Sequence, residues 1–383
     1  MASMTSYERI LKTFRFEKTD KVPVYHLGMS SSVASRVLGR EAYVGGGVQQ
    51  WREASMLWRG GDAHAEFLER SMGDAFDISD AMNMDIIRAE YWRLPEKPHK
   101  KLDEYTYVYG GDDSWQIRRY NPKTEVFDVT ERSLPPSKAS FADLEVQLDA
   151  REKAAESYNP KASFKAAEQA LARTDGKKAV RVNAGHMDIP LDHTWMEAVC
   201  LAPELVERHL RLQADKAIKD ISYLATVKNA RFIWGGSDIA GKTGPFFSPD
   251  AFRRFFLPEL RRVTKCCADN GMYLVFTSDG NLWDLAEDLF GGSGISGYGE
   301  VDRSAGMDMD ALRGRYPKLS LVGNISSATV HLAGPPEIER EVVSCMEAAK
   351  RHGGIIVGCS NYFMNETPTE NIFALIDAIE KYR

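Results

Sequence analysis

The stretch Tyr273-LVFTSDGNLWDLAEDL-Phe290 decides the fold. Val275 and Phe276 belong to a short apolar run of the kind buried in a parallel sheet, whereas Leu282, Leu285 and Leu289 recur at helical spacing. Thr277, Ser278, Asp279, Gly280 and Asn281 therefore occupy a strand-to-helix turn. In parallel α/β folds the carboxyl ends of the strands open onto the ligand site, which makes Asp279 a candidate for chemistry. The competing reading is that Asp279 or Asn281 only caps the helix that follows.

Seven further segments resemble Tyr273–Ser278: VPVYH from Val22, MDIIRA from Met84, AVRVNAG from Ala179, RFIWGG from Arg231, ISGYGE from Ile295, LSLVGN from Leu319 and GIIVGC from Gly354. Helical patterns separate several of them. In SPDAFRRFFLPELRRVTKCCADNG, Ser248 can cap, Pro249 sits in the first turn, Pro258 implies a kink or two consecutive helices, and Gly271 ends the element. Eight strands alternating with helices predict an α/β fold, a (β/α)8 TIM barrel, spanning residues 1–383 as a single domain. No GxGxxG turn follows any of the strands, which argues against an open dinucleotide-binding sheet. After the second strand, about residues 104–133, a GGDD turn between aromatic and β-branched runs predicts an inserted β-hairpin. Tyr105, Tyr107 and Trp115 either pack that hairpin's own face or contact substrate. A polar helical connector is expected from Leu134.

The formal net charge of -6, from 49 basic and 55 acidic residues, leaves no electrostatic footprint for nucleic acid or an anionic membrane. Cys200, Cys266, Cys267, Cys345 and Cys359 form no CxxC pair and read as reduced thiols. With no long apolar run, a cytoplasmic protein is expected.

In a barrel, the residues that close each strand face one pocket: His26, Arg88 and Glu90, His186 and Asp188, Asp238, Asp279 and Asn281, Glu300 and Asp302, Asn324, then Cys359, Ser360 and Asn361. Carboxylates dominate this ring, and gathered carboxylates need a proton, a cation or a basic partner. His186, Asp279, Glu300 and Cys359 are residue types that bind zinc, although barrel sites have no diagnostic spacing. His26 reads equally as a hydrogen-bonded core residue, and Cys359 as a small buried apolar one. The glycine-rich GGSDIAGKTGPFFSP places Asp238 and Lys242 on a loop suited to holding substrate.

The segments RILKTFRFEKTDKVPV, SPDAFRRFFLPELRRV, FTSDGN, GMDMDALRGRYPKLSLVGNI, PPEIEREVV and GGIIVGCSNYFMNETPTENIFALIDAI together resemble the uroporphyrinogen decarboxylase superfamily across nearly the whole chain. That resemblance implies a (β/α)8 barrel with its cleft at the carboxyl ends of the strands. It also implies one of two chemistries. True uroporphyrinogen decarboxylases hold a polycarboxylated tetrapyrrole with an N-terminal RQAGR-type segment; here the region reads YHLGMSSSVASRVLGREAYVGGG and lacks it. The other branch contains methyltransferases of corrinoid-dependent systems. Where its coenzyme M members bind zinc through His-x-Cys on the fifth strand and a late Cys, this sequence has Thr277 and Asp279, with Asn361 or Cys359 near the end.

The SDGN form is similar to members that demethylate methoxylated aromatics and pass the methyl group to a Co(I) corrinoid protein. The resemblance thus implies a small methyl donor and a corrinoid (cobalamin-type) cofactor carried by a partner protein, and it allows a homodimer. On this reading His186, Asp279 and Asp238 are the candidate catalytic residues. His26, Asn281, Tyr298, Trp195, Asn324 and Asn361 are candidate substrate contacts, and Asp279, Glu300 and Cys359 a candidate zinc set. A decarboxylase of the uroporphyrinogen type, or a barrel that only binds a small ligand, are the alternatives.

Overall fold

In the computed structural model, which describes residues 3–90, 93–112, 114–133 and 140–383, seven of the eight expected strands form one parallel sheet. They run Ile86–Arg88, Ala179–Asn183, Phe232–Gly235, Tyr273–Thr277, Gly297–Gly299, Ser320–Ile325 and Ile355–Cys359, each beside its neighbour in sequence. Such an order is what successive strand–helix units of one hand produce, and it curls the sheet.

The eighth position is filled but not by a strand. Val24 makes an isolated parallel bridge to Val357; Tyr25 donates its N–H to Val357 O (3.0 Å) and Leu27 to Cys359 O (3.3 Å). On the other side Asp85 N donates to Val24 O (2.8 Å). The expected strand at Val22–His26 fails to form a ladder for two reasons. Pro23 has no N–H to give, and the N–H of Val24 goes to the Asp85 side chain (2.8 Å) rather than to a neighbouring carbonyl. Asp85 is itself held by Ser6, by Arg9 (2.5 Å) and by Arg383, so both ends of the chain close the ring.

The insertion is larger than the hairpin expected from sequence. It is a four-stranded antiparallel sheet, Lys100–Lys101, Thr106–Gly110, Trp115–Asn121 and Val126–Arg132, paired in sequence order. The third turn comes from Asn121, whose side chain accepts from Lys123 N (3.0 Å), and from Glu125 at φ 55. Asp113 of the GGDD turn, and the start of the connector at residues 134–139, lie outside the described residues. Tyr107, Tyr109, Tyr120 and Phe127 bury against Val48 and Ala54 of helix Gly46–Arg59, and Trp51 of that helix stacks on Tyr120 at 4.7 Å. The aromatic stripe packs the insert onto the barrel's first helices.

The segment from Ser248 divides as Pro258 requires. Ser248 caps Pro249–Ala251, a π-helical turn covers Phe252–Phe256, and an α-helix runs Leu257–Asp269. Without an N–H at Pro258 the regular ladder cannot pass through, and the wider turn takes up the break. Among the described residues no helix is long and apolar enough to cross a membrane.

Candidate active site

Three adjacent strands end in carboxylates that meet. Thr277 pairs with Gly299 across one boundary and Phe276 with Gly235 across the other. The loops beyond these positions therefore leave the sheet at one level, and they carry Asp238, Asp279 and Glu300. One side-chain oxygen from each lies within 4.8 Å of the others. Gly280, at φ 87, turns the chain sharply after Asp279; a Cβ there would stand 2.6 Å from the Ala240 and Gly241 carbonyl oxygens. Glu300 itself adopts φ 64, a conformation that side chains of its kind rarely take.

The opening ambiguity resolves by division of labour. Asn281 closes a local turn, accepting from Trp283 N at 3.1 Å at the start of the short 3-10 helix Trp283–Leu285. Asp279 instead accepts from Asn361 Nδ2 at 2.5 Å, while its N–H donates to Asp238 at 3.2 Å. Burial, reinforced by the charges of Asp238 and Asp302, raises the Asp279 carboxyl from 3.8 to about 7 against the opposing pull of the Asn361 hydrogen bond. Burial likewise raises Glu300 to about 8, with Asp279 and Asp238 adding to the rise and Arg181 and Arg88 opposing it. Both carboxyls hold protons near neutrality in a group that could not tolerate three full charges.

The zinc set Asp279, Glu300 and Cys359 is not assembled. Cys359 is fully buried at the end of its strand, its thiol is pushed up to about 12 by burial, and among the described residues it joins no ligand cluster. Asp238 takes the third place. The trio offers only oxygen donors, a set that suits a hard divalent cation better than a thiolate-bound zinc.

Other expected contacts have structural work. Asn324, at φ 89, accepts from Arg303 and donates to the carbonyls of Val301 (3.0 Å) and Met307 (3.2 Å), fastening the loop after Glu300. His26 is wholly buried; its Nδ1 accepts from Cys359 N (3.0 Å), and burial lowers its pKa to about 4. Trp195 is buried against His209 (4.4 Å) and Tyr298 against Phe290 (4.8 Å), so neither provides an open aromatic wall. Asn361 reaches the site through Asp279.

His186 does face an opening. It lines a cavity of about 710 Å³, together with Arg181, Trp234, Gly235 and Thr277. Its Nδ1 donates to Gly236 O at 2.8 Å, which leaves Nε2 toward Asp188 at 3.6 Å. Asp188 stays anionic, lowered to about 2 chiefly by its hydrogen bond with His209. A second, smaller cavity of about 350 Å³ is polar and touches Asp279, Asn361, Lys242 and Ser360. Asp279 thus stands beside one cavity, and Thr277, two residues before it, beside the other.

Sequence reasoning missed Arg181. It sits between Val180 and Val182, and in a strand buried on both faces an ionic residue at one interior position is a signal of the barrel's inside.

The uroporphyrinogen decarboxylase (URO-D) family model matches residues 194–382. A curated uroporphyrinogen decarboxylase of Anaeromyxobacter sp. (strain Fw109-5) is 30% identical over 131 residues, 33% of this chain and 35% of that protein, so the similarity spans about a third of the relative's length. A solved structure, a methyltransferase from Methanosarcina mazei, shares the fold over 99% of both chains, with a TM-score of 0.62 and 19% identity. The family match falls just short of half the chain and the fold is shared over its whole length, so the chain is similar to the uroporphyrinogen decarboxylase superfamily in both sequence and fold.

Proposed function

We propose that this enzyme transfers a methyl group from a small O-methylated donor, an aromatic methyl ether above all, to a Co(I) corrinoid carried by a partner protein. The feature that supports this most is the cluster of Asp279 and Glu300 with Asp238 at the barrel mouth, where burial and mutual repulsion raise the first two carboxyls to titrate near neutrality. An ether is a poor methyl donor because its leaving oxygen is basic. A carboxyl that titrates near neutrality can protonate that oxygen as it departs.

The corrinoid supplies the nucleophile. The methyl carbon–oxygen bond breaks with its electron pair left on oxygen, the proton of Asp279 or Glu300 goes to that oxygen, and the methyl group passes to cobalt. Asp238 maintains the high pKa of its neighbours, and Asn361 fixes the Asp279 carboxyl in place. If a divalent cation binds, Asp238, Asp279 and Glu300 would hold it, and it would supply Lewis-acid assistance to the same oxygen. The absence of Cys359 from the cluster weighs against thiol activation by a thiolate-bound zinc.

The decarboxylase reading draws on the curated relative and on the same proton donors, which could protonate the carbon left after carbon dioxide departs. One experiment separates the two. The purified protein is incubated with 3-methoxybenzoate or 3-methoxyphenol, with and without cobalamin reduced to Co(I), while the cobalt spectrum, the freed phenol and carbon dioxide are followed. Loss of the Co(I) spectrum with equimolar phenol supports methyl transfer. Carbon dioxide release without cobalamin refutes it in favour of decarboxylation, and no turnover of either kind refutes both for these donors.

A further inference from the structure

We infer that Arg181 is the receptor for an anionic group on the substrate, so that the donor is a small planar carboxylate rather than a neutral ether. The inference rests on the methyl-transfer reading only for the other end of the molecule.

Arg181 projects into the barrel from strand Ala179–Asn183, on the wall of the 710 Å³ cavity. Its guanidinium is fixed from three sides. Nε donates to Asn183 Oδ1 at 2.9 Å, Nη1 donates to the Tyr25 hydroxyl at 3.3 Å, and its central carbon lies 5.5 Å from the Trp234 ring centroid. Tyr25 and Trp234 are buried and contact each other at 5.8 Å, so the support is rigid. Both of the hydrogen bonds go to neutral oxygens. A guanidinium has five N–H donors, and among the described residues no carboxylate comes within ion-pairing distance of this one. An arginine half-buried without an anion is costly unless something supplies one.

The other cations around the same cavity are engaged. Lys216 pairs with Asp220 at 2.6 Å, Lys219 donates to Ala155 O at 2.7 Å, and Arg151 contacts His209 Nδ1 at 2.8 Å. Lys219 and Arg151 also bond neutral groups, but of the three only Arg181 is braced against Tyr25 and Trp234. Glu300 does not neutralise it. That carboxyl is near enough for Arg181 to draw its pKa downward, yet the two form no ion pair.

The wall between Arg181 and Thr277 is nearly featureless. Gly235 and Gly185 approach so closely that a Cβ on Gly235 would stand 2.3 Å from the Gly185 carbonyl oxygen. Arg181, Gly235 and Thr277 line the same cavity. One fixed cation on the cavity wall selects a substrate that carries a single anionic group.

Binding tests this without any turnover. Calorimetric titration of the wild-type protein with 3-methoxybenzoate and with the neutral 3-methoxybenzyl alcohol should show at least about tenfold preference for the carboxylate, as a charge-assisted bidentate contact gives. In Arg181→Met the preference should disappear while the alcohol binds within about threefold of wild type. In Arg181→Lys part of it should return, which a folding defect would not allow. Lys216→Met should leave the preference intact. Equal wild-type affinities, no binding of either probe, or a preference that survives Arg181→Met would overturn the inference. If the preference is present and Arg181-dependent but no methyl reaches Co(I), the carboxylate receptor stands and the methyl-transfer reading fails.

Discussion

Replacing Asp279 with Asn should stabilise the protein at neutral and alkaline pH while abolishing turnover. The carboxyl is raised from 3.8 to about 7 in the folded protein by burial and by Asp238 and Asp302. The folded state therefore keeps this proton to a higher pH than the unfolded chain does. The stability it brings is fully present below about pH 4 and is lost as pH rises through about 7. A displacement of that size corresponds to about 4 kcal/mol at most, and water in the open mouth together with relaxation of Asp238 reduces it to about 2 kcal/mol. Asn carries no such proton and still offers an amide oxygen to Asn361. Paired urea denaturations at pH 4 and pH 8 measure the effect. The variant's advantage should be near zero at pH 4 and about 2 kcal/mol at pH 8, reaching its full value above the folded pKa. An advantage independent of pH, or a variant less stable than wild type at pH 8, would refute the claim that Asp279 is held protonated by its surroundings. The same variant should show no methyl transfer, a trade of stability for activity that acid catalysts buried among like charges impose.

Methyl transfer in the wild type should be level with pH well below about 7 and fall between about 7 and 8, as Asp279 and then Glu300 lose their protons; a stopped-flow pH profile with Co(I) cobalamin checks this. Cys359→Ala should retain turnover and bound-metal content, at a cost of about 1–2 kcal/mol in packing seen by denaturation, because the thiol lies outside the carboxyl cluster. Asp85→Ala should cost about 3–5 kcal/mol, since it removes the carboxylate partner of Arg383 and one of the two partners of buried Arg9, and frees the Val24 segment; thermal unfolding would show it. Gly358→Ala should prevent stable folding, because its Cβ would sit 1.8 Å from Tyr25 O in the seam that closes the ring, and soluble yield with circular dichroism would report it.

The barrel was legible because parallel strands buried on both faces must be apolar, and seven of eight such runs became strands. Val22–His26 misled because its apolar pattern is genuine, whereas its hydrogen bonding is decided by Pro23 and by a carboxylate sixty-one residues away. No local pattern announces that Asp85 will take the N–H of Val24. The insert was underread for the opposite reason. Asn121 and Pro122 are a local turn signal between two β-prone runs, and weighing them would have given a third strand after GGDD.

Within the site, residue type located the mouth but could not say which way each side chain points. Cys359 and Glu300 both follow glycine at a strand end, yet one thiol is sealed in the core and the other side chain, turned by a φ of 64, joins the acidic group. Glu300 takes a positive φ that sequence does not display. Arg181 shows the reverse case. Its neighbours Val180 and Val182 are buried, so the period of two sends Arg181 to the other face of the strand, which in a closed ring is the interior. On the proposed reading, Arg181, which forms no ion pair among the described residues, is the group that meets an anionic substrate.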